Sequence, residues 1–254
     1  MRIDAHELRR FYASPLGRAA GASIGVGLSR IWRPLPNERL VGLGYALPWL
    51  DRLAKGTERT FAFMPAAQGA RRWPHEGPSR TAIVYEEELP LPDASVDRIL
   101  MVHALEHAEQ PGESLREAHR VLAANGRLVV VVPHRRGVWA RFEHTPFGTG
   151  RPWSRGQLTR VLEGAGFALA DSNDALLFPP IPHGLINRVW RPVDWTGRKL
   201  FSTFSGAIIA VGTKGGRDGS AVPAATRMLR RPVVTPEWAT QGAPSGAGRV
   251  GEGG

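Results

Sequence analysis

Two short segments of this 254-residue chain carry side chains at spacings that chemistry can use. His103-Ala104-Leu105-Glu106-His107 reads H-x-x-E-H. On a helix, imidazoles four positions apart share a face, the arrangement that holds a zinc ion with a carboxylate beside it. Zinc would also need a long helix and a third protein ligand from elsewhere, and Pro111 cuts any helix here short. No metal is expected, and Glu106 reads as a residue that pins the turn to its neighbour. The second segment, Gly42-Leu43-Gly44-Tyr45-Ala46-Leu47-Pro48, places two glycines and an alanine in a tight turn after an apolar run. Backbone bare of side chains lets a nucleotide-like ligand approach closely, and a tight turn with no ligand explains the pattern equally well. His134 follows a second apolar run and precedes Arg135-Arg136. Imidazole is a proton acceptor suited to neutral pH, and the two arginines either hold an anion or face water.

The elements that must position these groups follow from periodicity. Ser14-Pro15 is an N-cap followed by a first-turn proline. Leu16, Ala19, Ala20, Ile24, Leu28 and Ile31 then form a helical stripe, which Gly17, Gly21, Gly25 and Gly27 weaken. Such a helix caps a core or lies on a membrane surface, so peripheral membrane contact through residues 14–32 is the alternative to the commoner core capping. From Arg39 the pattern becomes strand, helix, strand. Strands are expected at Arg39–Gly44, Thr60–Met64, Thr81–Tyr85, Asp97–Val102, Arg127–Val132, Phe167–Ala170 and Gly206–Val211. Helices are expected at Trp49–Ala54, at Glu113–Ala124 ending on Asn125-Gly126, and after the capping box Ser154-x-x-Gln157. This alternation implies an α/β fold, a doubly wound, mostly parallel sheet with helices on both faces.

Composition narrows the class. With no cysteine there are no disulfides, thiolate metal sites or cysteine nucleophiles. No run of about 18 apolar residues is present, and MRIDAHELRR has no apolar stretch behind it of the kind a secretory signal needs. A cytoplasmic location is expected. The net charge of +10 is spread along the chain without a block of five like charges, so it reads as a solvated surface before it reads as a nucleic-acid footprint. From residue 214 onward thirteen of 41 residues are Gly or Pro, too few large apolar groups to offset ordering entropy. The expected organisation is a helical extension over 1–38, a catalytic-type α/β domain over 39–213 and a disordered tail over 214–254, with Ala225–Arg231 a basic turn able to order against a partner.

The stretch from Leu89 to Pro133 carries a family pattern. Leu89-Pro90-Leu91, Asp93, Ser95 and Asp97 precede a strand. Leu105-Glu106-His107 follows it, and Arg116-Glu117, Arg120-Val121-Leu122 and Gly126-Arg127-Leu128 lead to the next. This resembles the class I S-adenosylmethionine-dependent methyltransferases of the type 11 group, with a seven-stranded Rossmann-like sheet. Leu91 stands for the usual phenylalanine and Asn125 for the first glycine of a pair. The resemblance implies S-adenosylmethionine as cofactor and methyl transfer to an unidentified small-molecule acceptor, without nucleic acid. It places the cofactor at Gly42, Gly44, Tyr45, Ala46, Met64, Glu86, Glu87 and His103, with one of Glu86, Glu87 or Glu88 accepting from the adenine amino group. Gly42 stands where the family has an acid, Ala46 and Pro48 where it has glycines, and Phe61–Pro65 ends without the acid that holds ribose. Gly44→Val is expected to abolish cofactor binding while the fold survives. Methyl transfer is a displacement in which the protein aligns reactants and accepts a proton, so His103, His107 and His134 are the candidate bases. The Gly/Pro-rich stretch Trp139–Trp153 sits where the family places its acceptor lid. The alternative is a non-catalytic binding or scaffold protein with a degraded cofactor turn, and a nucleic-acid-modifying role stands third.

Overall fold

The computed structural model describes residues 3–32, 36–180 and 205–215, so most of the stretch expected to be a disordered tail, Ala225–Arg231 included, lies outside them. Seven strands form one sheet in the order β3-β2-β1-β4-β5-β7-β6. They are β1 (Arg39–Gly44), β2 (Arg59–Pro65), β3 (Thr81–Val84), β4 (Val96–Val102), β5 (Leu122–Pro133), β6 (Phe167–Ala175) and β7 (Ala207–Lys214). β1 to β5 run parallel, and β7 is antiparallel to both β5 and β6. The helices are α1 (Ala5–Ala13), α2 (Pro15–Ile31), α3 (Leu47–Leu53), α4 (Pro111–Val121) and α5 (Arg155–Gly164). The chain winds outward from β1 to β3 and then restarts on the other side at β4. The carboxyl ends of β1 and β4 therefore flank the switch point where such sheets bind ligands.

Strand residues alternate between two cores because successive side chains point to opposite faces. Leu40, Leu100, Val102, Val129, Val131, Ile209 and Val211 pack on the α2–α3 side. Val41, Leu43, Ile99, Met101, Leu128, Val130 and Ile208 pack on the α4–α5 side. Both faces being dry explains why β4 and β5 read as continuous apolar runs. The stripe of α2 is used here: Leu16, Ala19, Ala20, Ile24 and Leu28 are buried in the first core. Its glycines have a packing reason, since a Cβ on Gly27 would lie 2.5 Å from Ile209 Cδ1. Among the described residues no helix is long and apolar enough to cross a membrane.

Beyond strands that run on to Ala175 in β6 and to Lys214 in β7, two differences from the sequence reading stand out. The helix expected to run to Ala124 stops at Val121, because Leu122 is already extended and pairs with Val96 of β4. The Lys214 Nζ donates to the freed Leu122 carbonyl at 2.6 Å. Asn125 does adopt the left-handed conformation (φ 63°), but within the irregular start of β5 rather than at a helix end. The second difference is α1, whose capping box Asp4-x-x-Glu7 lies in a segment assigned to the helical extension without a helix of its own.

One ion pair braces the amino-terminal edge of the sheet. Arg98 of β4 is nearly buried, lies over the Trp32 ring at 5.2 Å and is paired with Glu38. A guanidinium left alone there is costly. Glu38→Ala is expected to lower stability by about 3 kcal/mol, read as a shift of the urea midpoint with an unchanged slope.

Candidate functional site

The β1 strand leaves the sheet through the left-handed Gly44 (φ 79°). A Cβ there would lie 2.3 Å from the Val102 carbonyl oxygen and 2.8 Å from Ala104 Cβ. The next residue, Tyr45, donates its N–H to that same Val102 oxygen at 2.7 Å. A Cβ on Gly42 would meet Leu50 and Ala46 within 3 Å. Both glycines are thus required by the close passage of the chain past β4 and α3, whatever ligand lies above. This corrects the expectation that Gly44→Val spares the fold.

At the end of β4 the chain turns abruptly. His103 has φ 50°, a conformation that costs a non-glycine residue about 1–2 kcal/mol. It is buried, and its main-chain carbonyl accepts from Gln68 Nε2 at 2.7 Å. Both ring nitrogens are engaged: Nδ1 lies 3.0 Å from Glu106 Oε1 and Nε2 lies 2.7 Å from the Tyr12 hydroxyl. A carboxylate only accepts, so Nδ1 carries a proton, and in the neutral imidazole Nε2 accepts from the phenol. Burial first, then the charge of Glu106 and the proximity of Tyr45, hold the Tyr12 hydroxyl well above the usual phenol range. It stays protonated. Residues 103–107 form a turn rather than the helix a paired-histidine zinc site requires.

The remaining expected residues are distributed unevenly. Met64 ends β2 fully buried against Ala5, Leu8 and Tyr45. Ala46 is buried in the first core at the start of α3. Glu86, His103 and His107 line one small cavity with Ile3, Pro65 and Gln68. Glu87 lies on the adjoining edge and does not line that cavity. His134 does not line it either. It is buried at the end of β5 with Nδ1 3.0 Å from the Ser205 carbonyl, and burial pulls its pKa down. Arg135 and Arg136 face solvent. The stretch expected as a lid is anchored at its aromatic residues: Trp139 and Phe147 are buried in the core, and Trp139 Nε1 donates to the Phe178 carbonyl at 2.5 Å.

Tyr12 and Gln68 are the two site residues that the sequence reading missed. Tyr12 was legible only through the capping box at Asp4-x-x-Glu7, which starts a helix whose face repeats Ala5, Leu8 and Tyr12. For Gln68 there is no local signal.

The matches to known proteins meet this geometry. The methyltransferase domain family matches residues 40–130. Over 87 residues the chain is 36% identical to a probable S-adenosylmethionine-dependent methyltransferase of Mycolicibacterium smegmatis, a match that covers 34% of each protein. The chain thus spans about a third of the length of the curated relatives it matches. Residues 40–130 match the methyltransferase-domain family, and the sheet has the fold of solved methyltransferases. An S-adenosylmethionine-dependent methyltransferase from Mesorhizobium loti superposes with a TM-score of 0.57 at 15% identity, covering 77% of this chain and all of that one. The geranyl diphosphate C-methyltransferase of Streptomyces coelicolor, solved with S-adenosyl-L-homocysteine, gives 0.54 at 14% identity, with 78% and 79% covered. These two likenesses concern the fold.

The cofactor of this family is S-adenosylmethionine. Gln68 Oε1 and Glu106 Oε2 are buried acceptors with no hydrogen-bond partner among the described residues, and the cofactor's amino, ribose hydroxyl and ammonium groups are donors. The chemistry of the walls fits the cofactor. Their spacing does not, because the cavity they enclose holds about 20 Å³, against about 300–1,000 Å³ for ordinary ligand sites. The volume is taken by α1. Ala5 and Leu8 cover Tyr45 and Met64, and Ala5 N–H donates to the Gln68 carbonyl at 2.9 Å.

Two outcomes follow. Gly44→Val is expected to cost several kcal/mol and to give little folded protein, because the clash is with backbone; circular dichroism and yield check it. His134 has a folded pKa below its unfolded value of about 6.5. The native state therefore binds fewer protons, and the stability from neutral His134 is whole above that value and lost as pH falls through it. The urea midpoint is expected to drop between pH 7.5 and 5.5, and His134→Gln to shrink the drop.

Proposed function

We propose that the protein transfers the methyl group of S-adenosylmethionine to a small-molecule acceptor, with His103 as the base. The observation that carries this reading is the pair of His103 ring contacts, Nδ1 3.0 Å from Glu106 Oε1 and Nε2 2.7 Å from the Tyr12 hydroxyl. Glu106 accepts the hydrogen bond of Nδ1–H, which leaves Nε2 of the neutral ring as the proton acceptor at the switch point of the sheet. The cofactor supplies an electrophilic methyl group. Toward it the chain offers the Gly44–Ala46 backbone, Met64 as an apolar floor, and Glu86, Gln68 and Glu106 as acceptors. Glu106 both orients the base and stabilises the imidazolium it becomes, and the apolar lining excludes water that would compete for the proton. His107 lines the same cavity and shapes it, while His134 holds the β5 end to Ser205 as a positioning residue.

A second reading is favoured by the closed cleft and by β2 ending on Met64-Pro65 with no carboxylate: a non-catalytic scaffold that keeps the fold. Calorimetric titration with S-adenosylmethionine and S-adenosylhomocysteine separates the two. Binding heat that Glu86→Ala weakens at least tenfold supports the enzyme. No heat at millimolar ligand supports the scaffold. In the enzyme, His103→Asn is expected to keep homocysteine-product affinity within about threefold and to lower turnover by about 10²–10⁴.

A further inference from the structure

Three arginines line an open groove of about 430 Å³ beside α5 and the start of α4. Arg135 comes from just past β5, Arg151 from the segment leading into α5, and Arg160 from α5 itself. Their neighbours Trp153 and Val161 pack on the α4–α5 core. The backbone that carries two of the three is pinned. Trp153 N–H donates to the Pro133 carbonyl, Arg135 N–H to the Trp153 carbonyl and Arg151 N–H to the Glu106 carbonyl, each at 2.9 Å. Of the pair Arg135-Arg136, only Arg135 lines the groove. The groove shares no lining residue with the cavity at His103.

The polar side chains of this lining are donors. None of the three guanidiniums lies within ion-pair distance of a carboxylate among the described residues, whereas Arg155, at the start of the same helix, is paired with Asp174. Glu109 stands two residues before Pro111 in the chain but does not line the groove. Arg135 donates Nε–H to the Pro152 carbonyl at 3.4 Å, which leaves both of its Nη groups for the groove. Gln157 Oε1 accepts from the Ser154 N–H at 3.2 Å and from the Ser154 hydroxyl at 3.1 Å. The Gln157 amide therefore offers its Nε2 donors. The Trp153 Nε1–H, buried in the same wall, has no acceptor among the described residues. A groove whose side chains donate and do not accept is matched by an anion.

The number and placement of the donors select among anions. A carboxylate is planar, and a single forked guanidinium uses both of its oxygens. Three guanidiniums on three separate segments cannot all share two coplanar oxygens in that way, whereas a tetrahedral phosphate monoester presents three. Their summed charge also calls for more than one negative charge, which such an ester carries above its second pKa of about 6. Beside the arginines, Pro111, Val161 and the Trp153 ring give apolar surface that a bare phosphate leaves uncovered. The volume falls within the range of about 300–1,000 Å³ for ordinary ligand sites. We propose that this groove binds a soluble phosphate monoester. Arg135, Arg151 and Arg160 hold the phosphate, and the organic part lies on Trp153, Pro111 and Val161. The site needs none of the residues assigned to methyl transfer.

The test is calorimetric titration of the full chain, above the second phosphate pKa, with phenyl phosphate, benzoate and inorganic phosphate. Phenyl phosphate is expected to bind at least tenfold more tightly than benzoate, which has the ring without the phosphate. It is expected to bind at least threefold more tightly than inorganic phosphate, which lacks the ring. Arg151→Gln and Arg160→Gln should each weaken phenyl phosphate at least fivefold and leave the melting temperature essentially unchanged, since exposed charges contribute little to stability. Arg136→Gln, next to Arg135 but outside the lining, should leave the affinity within twofold. An equal loss from Arg136→Gln and Arg151→Gln signals diffuse charge attraction and overturns the site. So does benzoate binding as tightly as phenyl phosphate, or an unchanged affinity in both groove variants. Inorganic phosphate matching phenyl phosphate overturns the ester. A short single-stranded oligonucleotide and phosphatidylcholine vesicles containing phosphatidic acid complete the set. Binding of either that Arg151→Gln abolishes and phenyl phosphate does not compete away overturns the small-molecule assignment.

Discussion

The structure at the carboxyl edge depends on one residue held in an unfavourable conformation. His103 sits at φ 50° and is paid back by three hydrogen bonds, from Gln68 to its carbonyl and at each ring nitrogen. Each partner comes from a different place: Gln68 from the loop after β2, Glu106 from the turn after β4, Tyr12 from α1. Removing the left-handed turn would point the ring elsewhere and disconnect all three. Such backbone strain persists only where the surroundings over-determine it, and here the surroundings are the candidate site.

Glu106 and His107 apart, the residues that make the family pattern visible do a different job. Arg120 donates to the carbonyls of Leu89 and Leu91 and pairs with Glu117 and Asp93, while Glu117 accepts the Leu89 N–H at 2.7 Å. Asp97 receives Arg39 in a two-point contact, and Arg39 holds its carboxyl below the usual range. Ser95 bonds back to the Pro92 carbonyl. The pattern from Leu89 to Arg120 is therefore a clamp that fixes the loop before β4 on α4. It sets the register of β4, and through it the position of His103. A strong family signal and a weakened cofactor turn coexist because they report separate requirements.

What the sequence disclosed follows the range of the forces involved. The alternating strands, the Ser14 cap and the Ser154 box are local patterns, and each stands where its residues place it. Leu122 left its helix because a strand partner 26 residues away, Val96, outweighed the local preference. Gly42 and Gly44 were read as openings for a ligand, yet the atoms nearest a Cβ on either belong to Leu50, Ala46, Val102 and Ala104. A glycine signals close approach without saying what approaches. The capping box puts Tyr12 on a helix face, but its partner lies 91 residues away and has no local signal.

The closed cleft changes how weak cofactor binding in this chain must be interpreted. A degraded turn lowers the intrinsic affinity, and no change elsewhere restores it. An occluding helix leaves the intrinsic affinity intact and divides it by the fraction of molecules that are open. The two causes add in free energy but respond to different perturbations. The second yields to anything that loosens α1, which packs on Tyr45 and Met64 through Ala5 and Leu8.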